Sequence, residues 1–286
     1  MKIASIDIGT NAVKSKIFKT TPTSIEFIEG IRSPIRLGTD VFTNGLLAKD
    51  KLDLLVKTLR KYQKNFIKNK IFMYEIVATS AFRDTQNSEE ARRYVENKIE
   101  HPIRIISGLE EAKLIRFHPK AQSRSSKVYV DVGGGSTEIY IYQNNKHIIQ
   151  SFQLGAVRGM LGKDDPEEWS RLKKWLRKQP KTSTLVGLGG NIRSFLNLNN
   201  TKKMKSENFI KEIANLNSLD VGTKISAYKL QKDRADVIDF ALQIYIEIIK
   251  ILKVQEIKST KWGVSDSIAV KTFHELYSKK ISISRS

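Results

Sequence analysis

Two short segments carry the residue types best suited to chemistry. Asp7-Ile8-Gly9-Thr10-Asn11 and Asp131-Val132-Gly133-Gly134-Gly135-Ser136-Thr137-Glu138 each place an aspartate at the end of an apolar run, then glycine, then a hydroxyl residue. Glycine-rich turns after strands expose backbone N–H groups, and such concavities bind phosphate oxygens. An aspartate at the same turn can hold a hydrated Mg²⁺ near those oxygens, because this ion keeps waters and phosphate ligands beside one or two carboxylates. Two such turns facing each other would hold one phosphate chain from both sides. A third turn, Gly187-Leu188-Gly189-Gly190, adds backbone of the same kind. Alone it is a weak signal, since glycine also permits close helix–strand packing. Neither the P-loop nor the dinucleotide-binding fingerprint is present in full.

Two more side chains draw notice. Ser107-Gly108-Leu109-Glu110 reads as a capping box, which accounts for Glu110 and leaves Glu111 without that task. A carboxylate there, in the first helical turn beside a Ser-Gly loop, can polarise a water. An acid in that turn is, however, usually a surface residue favoured by the helix dipole. Arg83 follows Ala78-Thr79-Ser80-Ala81. It can take a phosphate bidentately, or simply pair with Asp84 or Glu90 at the surface.

The elements that must position these residues repeat. Lys2–Asp7 and Lys127–Asp131 read as strands, and Ala12–Phe18 and Glu138–Tyr142 as their hairpin partners. Turn residues follow, then third strands near Ile25–Glu29 and His147–Phe152. The two aspartates lie 131 − 7 = 124 residues apart, a domain-sized period. This predicts two related α/β domains, 1–120 and 121–286, each opening with a three-stranded meander. Between and after the meanders, strands at Glu75–Thr79, Ile103–Ser107, Thr184–Leu188 and Glu256–Trp262 alternate with helices. The helix signals cover Asp50–Lys70, the segment opened by an Asn87 cap, Ser107 to about Phe117, the segment opened by Asp165-Pro166, Asn191–Leu198, a long helix from about Asp233, and Ser265–Tyr277. Pro119–Ser126 reads as a crossing between domains and Asn199–Ser206 as a polar loop.

Composition bounds the partners. The 286 residues include no cysteine, so disulfide and thiolate chemistry are excluded, and the four histidines show no metal-ligand spacing. The most apolar stretch, Val237–Val254, is interrupted by charges and reads as a buried helix rather than a membrane span. The first residues run straight into a strand without a secretory pattern, so the expected location is the cytoplasm. A net charge of +20 favours a polyanion, although lysines spread along helices are also ordinary solvated faces.

Taken together, these segments resemble the exopolyphosphatase/guanosine pentaphosphate phosphatase (Ppx/GppA) family of the actin, sugar-kinase and heat-shock-chaperone superfamily. The matching stretches are Ile6–Asn11, Arg36–Gly38, Val77–Asp84, Ile106–Ala112, Asp131–Glu138, Leu154–Arg158, Gly187–Gly190 and Asp233–Ile238, in family order. The Thr-Ser-Ala-x-Arg and Ser-Gly-x-Glu-Glu-Ala segments separate phosphatase from kinase. The resemblance implies two ribonuclease H-like domains with an active cleft between them, and hydrolysis of the terminal phosphoanhydride of polyphosphate, or of guanosine pentaphosphate. It implies Glu111 as the base preparing the attacking water, with Glu138 and Arg83 assisting. Asp131 and Asp7 become the carboxylates for Mg²⁺ or another divalent cation. Gly9, Thr10, Asn11, Gly133, Gly134, Gly135, Ser136, Gly189 and Gly190 become the phosphate-binding backbone. Two departures stand out. Gly263–Ser267 replaces the family's Leu-Arg-Glu-Gly segment, removing a charged pair, and Asn191 occupies a position where threonine is commoner. The charge favours polyphosphate over a single nucleotide. No nucleic-acid or membrane partner is expected, and a homodimer is compatible with the apolar helices. A kinase with a small acceptor and a non-catalytic polyanion binder are the readings from other classes.

Overall fold

In chain order, β1 (Lys2–Ile8), β2 (Val13–Thr20) and β3 (Ile25–Ser33) are followed by α1 (Leu37–Asn44), α2 (Lys49–Lys68), β4 (Tyr74–Ala78), α3 (Ser80–Arg83), α4 (Ser88–Ile99) and β5 (Arg104–Ile105). Next come α5 (Gly108–Leu114), a 3-10 turn (Ile115–Phe117), β6 (Lys127–Val132), β7 (Thr137–Gln143), β8 (Lys146–Phe152), α6 (Ala156–Met160), α7 (Pro166–Arg177), β9 (Thr184–Leu188) and α8 (Gly190–Leu198). The chain closes with β10 (Lys203–Lys205), α9 (Ser206–Asn217), α10 (Val221–Ser226), α11 (Lys232–Ala235), α12 (Ile238–Leu252), β11 (Glu256–Ser259) and α13 (Val264–Ile283). This computed structural model describes residues 1–123 and 126–283.

Two units emerge, each with one mixed sheet. The first comprises residues 1–107 and 264–286, and the second residues 108–263. The division differs from the expected 1–120 and 121–286. The helix carrying Glu111 starts the second unit because it packs on β7 and β8, and α13 returns to the first because it packs on β1, β2 and β4.

In the first unit the strand order is β3-β2-β1-β4-β5, with β1–β3 antiparallel and β4 and β5 parallel to β1. Central β1 is covered on both faces, so Ile3, Ala4, Ile6 and Ile8 are all fully buried, as a near-continuous apolar strand requires. Along α2, Leu52, Leu55, Leu59, Tyr62 and Phe66 recur at helical spacing and form its buried stripe. The second unit has the order β10-β11-β9-β6-β7-β8, again with an antiparallel meander next to parallel strands. Apolar α12 crosses this unit with Ile238, Leu242, Tyr245, Ile249 and Leu252 buried.

The predicted repeat is present to the residue. Asp7 faces Lys14 across β1–β2 and Asp131 faces Glu138 across β6–β7, both members being displaced by 124. The last pairs, Ile8 with Val13 and Val132 with Thr137, share that offset.

Among the local expectations one holds and several need correction. Asp165 does cap α7, accepting from Glu167 N at 2.8 Å, with Pro166 at the first helical position. Asn87 stands at the start of α4 without a side-chain cap bond; its amide instead bridges Leu47, receiving Leu47 N at 3.0 Å and donating to Leu47 O at 3.0 Å. The strand expected at 103–107 is only Arg104–Ile105, and that expected at 256–262 ends at Ser259. The polar loop at 199–206 contains β10, held by pairing with β11. The long helix expected from Asp233 is broken, because α11 ends at Ala235 and α12 begins at Ile238. Pairing partners distant in sequence decide the extents of β5, β11 and β10, and no local pattern announces them.

Candidate active site

The second unit holds most of the candidate chemistry. After β6, the Gly133–Ser136 loop closes on itself through Gly133 N to Ser136 O at 2.9 Å. Its other carbonyls are taken by the first turn of α6: Ala156 N donates to Gly133 O (2.9 Å), and Val157 N and Arg158 N to Gly134 O (2.8 and 3.0 Å). Arg158 Nε adds a bond to Gly135 O at 3.0 Å. With its carbonyls bonded into the protein, such a loop has N–H groups to offer an anion. The docking demands glycine at 155, since a β-carbon there would lie 2.6 Å from the Gly134 carbonyl and from Gly135 C.

Two carboxylates flank this loop. Asp131 and Glu138 are directly opposed on adjacent strands, which places both on one face of the sheet. Glu138 is 2% exposed, and Ser151 on β8, its register partner on the other side, donates Oγ–H to Glu138 Oε1 at 2.9 Å. Like charges directly opposed across strands repel, so this pair suits a divalent cation. Among the described residues no group of three or more His, Asp or Glu side chains is placed to ligate a metal. Two opposed carboxylates are a donor set of the kind Mg²⁺ takes when waters and phosphate oxygens complete its shell. Tyr245, fully buried in α12, donates to Val130 O at 3.3 Å, and burial with the charge of Asp131 drives its phenol well above the usual range.

Glu111 approaches from α5. Gly108, at the start of that helix, lies against Ser151, and a β-carbon on it would be 3.9 Å from Glu138 Oε1. Glu111 follows one helical turn later on the same face. It is 9% exposed, whereas Glu110 is exposed. The two neighbouring glutamates, similar in sequence, are thus separated by burial, and the inner one belongs to the helix face turned toward Ser151 and Glu138.

The first unit's loop has the same wiring. Gly9 N donates to Ala12 O at 3.2 Å, the counterpart of the Gly133–Ser136 bond. Gly38 N takes Thr10 O (2.9 Å) and Arg36 N takes Asn11 O (3.0 Å), so helix α1 and its leading residue satisfy these carbonyls as α6 does in the other unit. Thr10 is 3% exposed. Asp7, however, is paired: Lys14 Nζ lies 3.1 Å from its Oδ2. A metal on Asp7 would compete with an internal cation. Arg83 Nη1 donates to Ile106 O at 2.9 Å and Nε lies 3.4 Å from Asp84 Oδ1, one of the two ion-pair partners its sequence neighbourhood offers. The altered segment at 263–267 keeps an acid in use, since Asp266 pairs with Lys16 at 2.5 Å and Ser265 O accepts from Ser5 Oγ at 2.7 Å.

The third glycine turn borders Asp131. Gly189 has φ +77°, and a β-carbon on it would stand 2.6 Å from Asp131 Oδ1. Sequence reasoning assigned no task to Lys14, Ser151, Gly155 or Arg234. Superposing the two meanders by their 124-residue offset exposes the Lys14–Glu138 contrast; the other three depend on tertiary contacts.

Comparison with known proteins agrees with this architecture. The model of the Ppx/GppA phosphatase family matches residues 16–276. The Aquifex aeolicus member of that family is similar in structure, with TM-score 0.77 and 24% identity, covering 96% of this chain and 98% of that one. An exopolyphosphatase from Cytophaga hutchinsonii gives TM-score 0.86 at 18% identity, with 96% and 98% covered.

Proposed function

Given that this chain belongs to the Ppx/GppA phosphatase family, we propose that it hydrolyses the terminal phosphoanhydride of inorganic polyphosphate and releases orthophosphate. One arrangement carries the reading: the second unit holds a phosphate-type loop, a facing pair of carboxylates and a buried glutamate one helical turn from the glycine that lies against Ser151. N–H groups around Gly134–Ser136 hold the terminal phosphate. Glu111 orients a water and accepts its proton as the oxygen attacks phosphorus in line with the leaving oxygen. Asp131 and Glu138 hold Mg²⁺, which when bound offsets the charge of the phosphate oxygens. Ser151 fixes the orientation of Glu138. Gly9, Thr10 and Asn11, and the turn at Gly189-Gly190, are assigned phosphate binding on the same backbone grounds. Phosphoryl transfer calls for positioning and charge stabilisation more than covalent help, which suits a chain without cysteine.

Arg83 is assigned a phosphate contact that requires partial release from Asp84. Asp7 is a secondary carboxylate for the cation, available only if Lys14 gives way. The net charge of +20 supports a long polyanion over guanosine pentaphosphate. Electrostatic capture of such a chain weakens with salt, so KM for polyphosphate should rise with ionic strength. Phosphate release from polyphosphate with and without EDTA tests the reading. Release abolished by EDTA and restored by Mg²⁺ supports it. ATP consumption that requires an added acceptor, without loss of polyphosphate, would replace it with a kinase.

A further inference from the structure

One end of the first unit carries groups that the proposed reaction does not use. Phe72, 84% exposed, and Ile67, 69% exposed, are the two most exposed large apolar side chains among the described residues, and they flank a single turn. Helix α2 stops there in a tight reversal. Lys70 has a left-handed φ of +56°, Lys70 N donates to Ile67 O at 3.0 Å and Ile71 N to Phe66 O at 2.9 Å. Ile71 is buried and pins the reversal, so Ile67 in the last turn of α2 and Phe72 on the way into β4 both stay outside the core. Met73, next to Phe72, is exposed as well. Exposed apolar residues scattered singly are ordinary, whereas a group of them rimmed by polar residues marks a contact surface.

The rim has one sign. Lys57, Lys61, Lys64 and Lys68 recur at i, i+4, i+7 and i+11, which puts all four on one stripe of α2. Together with Lys70 in the turn they are exposed, and none of the five has an ion-pair or hydrogen-bond partner among the described residues. The acids of α2, Asp50 and Asp53, stand at its other end. Helix α4 of the same unit is built differently: there Arg92 bridges Glu89 and Glu96, and Arg93 reaches Glu89. Spread lysines alone fit a solvated face; the two apolar side chains beside them do not.

The lysines call for a surface rich in negative charge, and Phe72 and Ile67 call for one that also accepts apolar groups. A polyphosphate chain meets only the first requirement. The headgroup region of a bilayer containing anionic lipids meets both, because ammonium groups pair with lipid phosphates while aromatic and branched side chains sink toward the acyl chains. We propose that this end of the first unit is a docking surface for anionic lipid membranes. No described helix is long and apolar enough to cross a bilayer, so the contact is peripheral. Strand β4 runs parallel to β1, with Tyr74 opposite Ala4 and Ala78 opposite Ile8. The turn before β4 is therefore at the far end of the strands from Gly9–Asn11, and a membrane seated on it leaves that phosphate-type loop uncovered.

The test is co-sedimentation of the whole chain with vesicles of equimolar phosphatidylglycerol and phosphatidylcholine, and with vesicles of phosphatidylcholine alone, at low and high salt. Wild type should bind the anionic vesicles, bind phosphatidylcholine at least about 10-fold more weakly, and be released by salt. Lys61→Ala/Lys64→Ala/Lys68→Ala should weaken binding to anionic vesicles by about 100-fold, and Ile67→Ser/Phe72→Ser by about 10-fold. Both variants should keep the wild-type thermal midpoint, since the altered groups are exposed. Absence of wild-type binding to anionic vesicles at low salt overturns the proposal. Full binding by Ile67→Ser/Phe72→Ser overturns it too, and would make the stripe a general polyanion surface. A dimer that these two substitutions dissociate, with vesicle binding unchanged, would assign the apolar pair to a second copy of the chain instead.

Discussion

The turn after β1 and the turn after β6 close with the same backbone bond, sit on the same strand register and have their carbonyls drawn into a following helix. At one position they part. Opposite its aspartate the first unit sets Lys14, the second Glu138. Asp7 is consequently neutralised from within, by an ammonium 3.1 Å away. Asp131 is instead set opposite a second carboxylate, and like charges directly opposed across strands repel. A shared scaffold thus carries an internally paired acid in one unit and two opposed acids in the other, through one cross-strand position. The water-activating candidate, Glu111, belongs to the second unit as well.

The contrast predicts where the largest loss of activity falls. Glu111→Gln removes the proposed base and keeps the shape, so kcat should fall by about 10²- to 10⁴-fold, the range for general-base catalysis, while polyphosphate binding survives. Near-normal turnover would strip the second unit of its distinct role. Next in size is Glu138→Lys, which installs the first unit's pairing in the second. Activity should fall by at least about 10- to 100-fold, as when the support of a bound metal is removed, and Mn²⁺ binding measured by calorimetry should weaken with it. Retained divalent affinity would break the link between the acid pair and the cation.

The reverse change tests the first unit. Lys14→Met leaves Asp7, 2% exposed, without its cation. Because the Lys14 side chain is 37% exposed, solvent replaces part of what is lost, and the cost should be about 1 kcal/mol, visible as a lower midpoint in urea. Asp7→Asn in the same background should recover most of it. An unaltered midpoint in Lys14→Met would mean that the pair does not hold the first turn.

How much of this was readable beforehand follows from the range of each signal. Asp7, Asp131 and their glycines are contiguous motifs, so strand, turn and repeat could be read directly. Glu111 was separable from Glu110 because a capping box is a local pattern. The domain boundary could not be read, because α13 belongs with β1 by packing alone and no composition shift marks the return. Arg234 and Asn191 lie 43 residues apart and meet through a buried bond. Asn87 looked like a cap and became a bridge to Leu47, because Asn side chains serve either purpose and tertiary context chooses.

The smallest predicted effect asks whether the second unit's acid needs its neighbour. Ser151 is the register partner of Glu138 on β8, and its hydroxyl both holds Oε1 at 2.9 Å and lies against Gly108, the first residue of the helix that carries Glu111. Ser151→Ala removes one hydrogen bond to a buried carboxylate, worth about 1.5–3 kcal/mol to a charged group when no water replaces it. The vacated space is small and next to a polar site, so water should recover much of that. The expected result is a fall in kcat of roughly 3- to 10-fold, a raised Mg²⁺ requirement and little change in KM for polyphosphate, since the task proposed for Glu138 is to hold the cation rather than the chain. Nothing corresponding is expected in the first unit, where Lys14 pairs in register with Arg32 on β3 and its aspartate already has its cation. A Ser151→Ala protein that raised KM and left the Mg²⁺ requirement alone would show that β8 serves the phosphate loop instead, and the asymmetry would then have to be sought in the loops rather than in the acid pair.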